Sequence, residues 1–148
     1  MGTDIHFVVE RKFRDKWVGI FFSDPAWRVP GHDKPDVIPA CSRNYARFAM
    51  LASVRGESKR KPIGIPHDAS DLTDLVLEDP NRHSMSWMPL MDFLKICFET
   101  DSEDRKKMLE SLPKDGNEFE FLKDHYIEYY SWGSVVPDEY RIIFWFDS

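Results

Sequence analysis

The sequence predicts an α+β domain: an antiparallel sheet formed by the N- and C-terminal strands, with several helices packed on one face. Three observations carry this prediction. Apolar and polar residues alternate at both chain ends, over residues 3–11 and 140–147. Between them, apolar residues recur at helical spacing in several segments separated by Pro and Gly. The length of 148 residues suits one domain, 1–148, because two independent cores would each be marginal.

The elements follow in chain order. Residues 3–11 set Asp4, His6, Val8 and Glu10 against Ile5, Phe7 and Val9, a half-buried strand whose second face is polar. Residues 16–22 read as its partner. The intervening Phe13, Arg14 and Asp15 are short enough for a hairpin, although they contain no glycine. Residues 23–42 carry Pro25, Pro30, Pro35 and Pro39 and read as a long loop. Trp27, Val37 and Ile38 favour a loop packed back onto the body over a lid.

Ser42 is the expected N-cap of a helix over residues 43–54, where Tyr45, Phe48, Ala49 and Ala52 share a face. Residues 55–66 form a loop with the dense basic patch Lys59, Arg60 and Lys61, read as a solvated turn. Asp68 or Ser70 caps a short helix through Leu77, and Pro80 ends it. His83, Ser84, Met85, Ser86 and Trp87 read as extended. With Pro89 as its first residue, the next helix presents Leu90, Phe93, Leu94, Cys97 and Phe98 through Glu99.

Ser102 caps a helix to Leu112, with Met108, Leu109 and Leu112 inward. Residues 117–130 allow two readings. Asn117 with Glu120 resembles a capping box and Phe119, Leu122 and Tyr126 fit a helical face, while residues 126–132 are also β-prone. The last strand separates Tyr140, Ile142, Phe144 and Phe146 from Arg141, Ile143, Trp145 and Asp147.

Composition narrows the function. Hydrophobic residues at 42% supply a core without disulfide stapling, and the distant Cys41 and Cys97 form no zinc-ribbon pattern. A net charge of −6 disfavours non-specific nucleic-acid binding. With neither a basic leader nor eighteen consecutive apolar residues, the expectation is a cytoplasmic protein without membrane association.

Asp4 and His6 project from one strand face about 7 Å apart, close enough to share a ligand. If the last strand lies beside the first, Arg141 and Asp147 join them, so His6 becomes an acid or base beside a phosphate-binding guanidinium. The plainer alternative is a structural ion pair in which Asp4 orients His6 or binds Arg141. His83, Ser84, Ser86 and Trp87 form a second cluster, with hydroxyls for an anion and an indole to stack on a base; helix capping and core filling explain them equally well. His83, Met85 and Trp87 share one side if the segment is regular. Arg43, Asn44 and Tyr45 open the first helix, where an anion is favoured, although Arg43 also fits a solvated position. Asp4, His6 and His83 could also supply metal ligands, but their spacing specifies no metal and no cofactor is implied.

The sequence resembles a family of small proteins of phages and bacterial prophages. The likeness rests on Met1-Gly2-Thr3-Asp4-Ile5-His6, on Arg43-Asn44-Tyr45 with Phe48-Ala49-Met50-Leu51-Ala52 and Val54-Arg55, on His83-Ser84-Met85-Ser86-Trp87, and on Arg141-Ile142-Ile143-Phe144-Trp145-Phe146-Asp147. The family pattern has Cys where this chain has Thr3, and a second His where it has Met85, so two candidate metal ligands are missing. The resemblance implies a phage context and a residue set, with no reaction attached.

Together these readings assign His6, His83 and Asp4 to chemistry and Arg43, Asn44, Tyr45, Ser84, Ser86, Trp87, Arg141 and Asp147 to ligand binding. The expected ligand is a small phosphorylated, nucleotide-derived molecule such as an immune signal; turnover would make the protein a phosphodiesterase-like hydrolase. The alternative is a non-enzymatic inhibitor or adaptor that binds a host defence protein through its acidic, aromatic-bearing surface.

Overall fold

Alternation at the two chain ends produces the central strands β1 (Asp4–Phe13) and β4 (Tyr140–Asp147) of the computed structural model, which describes residues 2–23, 40, 43–77, 80–110, 118–127 and 136–147. They pair antiparallel, with Asp4 opposite Asp147, His6 opposite Trp145 and Glu10 opposite Arg141. Strand β2 (Lys16–Ser23) returns along β1 through Arg14 and Asp15, at φ 50° and 65°. Two successive left-handed residues make the turn that matches strand twist, here built without the usual glycine. Strand β3 (Arg82–Pro89) flanks β4, giving the antiparallel order β2-β1-β4-β3.

The α+β prediction holds, with an antiparallel sheet centred on the two chain ends. Helices α1 (Tyr45–Ala52), α3 (Leu90–Glu99) and α5 (Glu118–Tyr126) pack on one face. Their Phe48, Leu51, Phe93, Leu94, Phe98, Phe119 and Leu122 meet Ile5, Phe7, Val9, Ile142, Phe144 and Phe146 in the main core. The other face carries a smaller cluster, where Val8, Ile143 and Trp145 pack with Ile65, Leu72 and Val76 from α2 (Asp71–Val76) and its approach. Helix α4 (Glu103–Glu110) follows α3, and Ser102 Oγ accepts the Arg105 N–H as expected of its cap.

Local expectations are corrected at three places. Helix α1 starts at Tyr45 with Asn44 as its N-cap, whose side chain accepts the Arg47 N–H, so Ser42 is not the cap. Pro89 closes β3 and occupies the N-cap of α3 instead of its first turn. In β3, His83 lies opposite Phe146 but Ser86 opposite Phe144, so one extra residue is inserted. This β-bulge, with Ser84 at φ 54°, reverses the alternation. His83 stacks on Phe146, on the main-core side, whereas Met85 and Trp87 join the Val8–Trp145 cluster. The three therefore do not share a side.

Ser70 caps α2, its hydroxyl accepting the Thr73 N–H. The proline-rich loop, Ser42, Cys41, Asn117 and the β-prone stretch after residue 127 lie outside the described residues, as do Leu112 and the side chains of Met108 and Leu109.

Candidate functional site

One face of the β1–β4 pair carries polar groups at both ends and apolar groups in the middle. At the end where β1 begins, the register sets Asp147 diagonally across from His6. The His6 Nε2 to Asp147 Oδ2 distance is 2.6 Å. The imidazole stacks on Trp145, with ring centroids 6.0 Å apart and an angle of 9° between planes. His6 is thus held by a carboxylate and an indole, and it is 8% exposed. The expectation that Asp4 orients His6 is corrected: Asp147 does so.

Asp4 is engaged by Arg43 instead. Arg43 Nε donates to Oδ1 at 2.6 Å and a terminal nitrogen donates to Oδ2 at 3.1 Å, a two-point pair. That hydrogen bond holds the Asp4 carboxyl below the usual carboxylate range, against the opposing effect of burial. The guanidinium lies so close to Gly2 that a Cβ there would collide with it. A larger residue here would displace the exposed end of Arg43.

Around the sheet's end, on the main-core side, the Thr3 N–H donates to the Tyr45 hydroxyl at 3.3 Å. Arg55 Nε donates to Thr3 Oγ1 at 2.8 Å, with its guanidinium 5.1 Å from the Tyr45 ring centre. The three chain segments that include Thr3, Asp4 and His6, Arg43 and Tyr45, and Asp147 therefore meet at one end of the sheet.

The remaining candidates lie elsewhere. Arg141 shares the face of His6 but sits six residues along β4 from Asp147, about 20 Å at strand spacing. There its Nε donates to Glu10 Oε1 at 2.6 Å, and its terminal nitrogens donate to Asp68 Oδ1 and the Asp68 carbonyl. Glu10 Oε2 accepts the Ser70 N–H at 2.6 Å and the Thr73 hydroxyl at 2.8 Å. Trp87 packs over the Arg141 guanidinium at 5.5 Å and Trp17 at 4.1 Å. This is a buried network that fastens α2 to the sheet, so Arg141 and Trp87 are not part of a site with His6.

His83 projects to the opposite sheet face from His6, and its Nδ1 lies 3.0 Å from Ser84 Oγ. Ser86 Oγ accepts the Ile63 N–H, holding a loop to the sheet edge. Asn44 caps α1 and donates to the Thr100 carbonyl at 2.7 Å, tying α1 to the end of α3. Its place is structural. Glu10, Asp68 and Arg55 were not assigned to a site from the sequence, where Asp68 reads as a candidate helix cap; the Asp4-His6-Val8-Glu10 alternation already placed Glu10 on the face in question, and only the register was lacking.

Among the described residues no group of three or more His, Cys, Asp or Glu is placed to hold a metal ion, and no helix is long and apolar enough to cross a membrane. A cleft of about 260 Å³ lies at the start of β2 and α2, lined by Trp17, Gly19 and Leu72 among others, next to the Arg141 network. No known protein family, curated protein or solved structure matches the chain.

Proposed function

We propose that this protein binds a small phosphorylated, nucleotide-derived ligand at the sheet end that carries Arg43, Asp4, His6 and Asp147. The observation that supports this reading is the pair of pairs on one polar face: His6 with Asp147 at 2.6 Å and Arg43 with Asp4 at 2.6 Å. A carboxylate on one ring nitrogen sets the orientation of an imidazole, which is what an acid–base group needs. The Arg43 side chain is 55% exposed, so its planar donor fork is open to a phosphate that competes with Asp4. Tyr45, exposed beside it, offers a ring face to a base.

In this reading His6 is the acid or base, Arg43 neutralises the phosphate, and Asp147 positions His6. Asp4 holds Arg43 in place until the ligand arrives. Taken with the phage resemblance, the ligand is an immune signal that the protein captures or cleaves.

Thermal shift of the full chain against cyclic nucleotides, ADP-ribose and inorganic triphosphate tests it. Stabilisation of the wild type by a nucleotide, lost in Arg43→Ala and His6→Gln, supports the reading. No stabilisation by any of these compounds overturns it. Chromatography of excess ligand after incubation then separates a hydrolase from a protein that only binds.

A further inference from the structure

The loop after α1 is braced, not merely solvated. Helix α1 ends at Ser53 in the left-handed region, φ 57°, and Arg55 follows at φ 60°. Ser53 Oγ accepts the Ser58 N–H at 3.2 Å and donates to the Arg60 carbonyl at 2.7 Å. Ser58 Oγ accepts the Arg60 N–H at 3.1 Å. Two residues past the basic run, the Ile63 N–H donates to Ser86 Oγ and the Gly64 N–H to the Met85 carbonyl. The segment between is pinned at both ends.

On it stand Lys59, Arg60 and Lys61, all exposed, followed by Ile63 at 66% exposure. Lys61 pairs with Glu57, itself 92% exposed in its side chain; among the described residues no acid pairs with Lys59 or Arg60. Three consecutive cations, of which only Lys61 has an acidic partner among the described residues, stand beside a large exposed aliphatic side chain and form a locally positive patch in a chain of net charge −6.

We propose that Lys59, Arg60, Lys61 and Ile63 form a docking strip for an acidic protein segment that carries an apolar residue among its carboxylates. Ile63 decides for a peptide, since a phosphate chain gains nothing from an aliphatic contact. The net charge points the same way: a nucleic acid spreads its charge over the acidic remainder of the surface, whereas a short peptide stays within a screening length of about 10 Å of the strip. Bracing lowers the ordering cost of association. This inference is independent of the ligand site.

Fluorescence anisotropy of the full chain with a labelled glutamate-rich peptide containing leucines tests it. Saturable binding is expected, weakened about tenfold or more by K59E/R60E and strongly by salt. I63S lowers affinity for the leucine-containing peptide and not for an all-glutamate control. Because these side chains are exposed, melting curves of the variants should match the wild type and serve as the folding control. No saturable binding, equal binding by K59E/R60E, or tighter binding of a single-stranded oligonucleotide or inorganic triphosphate overturns the proposal.

Discussion

The two polar ends of the β1–β4 face use similar side chains for opposite ends. At one, Glu10 is fully buried and Arg141 is 3% exposed, and every oxygen of Glu10 receives a donor from Arg141, Ser70 or Thr73. At the other, His6 and Asp147 meet beside an Arg43 that stands in solvent. A buried ion pair is stable only when its remaining lone pairs and protons are met as well, and once they are met it has no capacity left for a ligand. A surface pair such as Arg43–Asp4 contributes little to stability but exchanges partners readily, even though His6 beside it is buried. The difference teaches that desolvation of the guanidinium, not residue type, separates the fastening from the candidate site.

The comparison breaks most sharply at the buried end. Arg141→Ala leaves Glu10 buried without its guanidinium and should cost about 3–5 kcal/mol in urea unfolding, on the scale of truncating a core ring such as Phe144→Ala. A loss below about 1 kcal/mol would show that the network does not fasten α2. Glu10→Leu combined with Arg141→Met should recover only part of that loss. The Ser70 N–H and Thr73 hydroxyl would still lack the acceptor that Glu10 provides, at about 1–3 kcal/mol for unsatisfied buried groups.

At the candidate site the effect on binding outweighs the effect on stability. His6→Gln, at a buried ring hydrogen-bonded to a carboxylate, should cost about 1–3 kcal/mol in the same unfolding assay, less than Arg141→Ala, yet abolish ligand-induced stabilisation. A variant that melts early but retains affinity in its folded fraction would remove His6 from the site.

The smallest effect is a pH dependence. Because Arg43 holds the Asp4 carboxyl below its unfolded value, that pair contributes stability in full above the ordinary carboxylate range and loses it as pH falls through the depressed folded value. Asp4→Asn removes this contribution. The stability gap between wild type and variant should therefore shrink as pH falls through and below the ordinary carboxylate range. A gap that widens on acidification would contradict the Arg43–Asp4 assignment.

Much of the architecture was legible from local pattern. The strand over residues 140–147, the hairpin across Arg14 and Asp15, the Ser70 cap and the apolar stripe of α3 all rest on periodicity or on side-chain-to-backbone bonds within a few residues. The polar face of β1 was legible too, since alternation alone places Asp4, His6 and Glu10 together.

What only the tertiary structure decided is which of these groups meet. Pairing Asp4 with Asp147 and Glu10 with Arg141 puts the two cationic–acidic sets at opposite ends of one face, and a different register would have exchanged their partners. The inserted residue between His83 and Ser86 turns His83 away from the face of His6, although each residue of that segment is compatible with a regular strand. Helix α1 took Asn44 as its cap because that side chain also reaches the Thr100 carbonyl at the end of α3. Periodicity, a property of the nearest few residues, determined the elements and their faces. Register, bulge and cap were selected by contacts between segments distant in sequence, whose energies no local pattern contains.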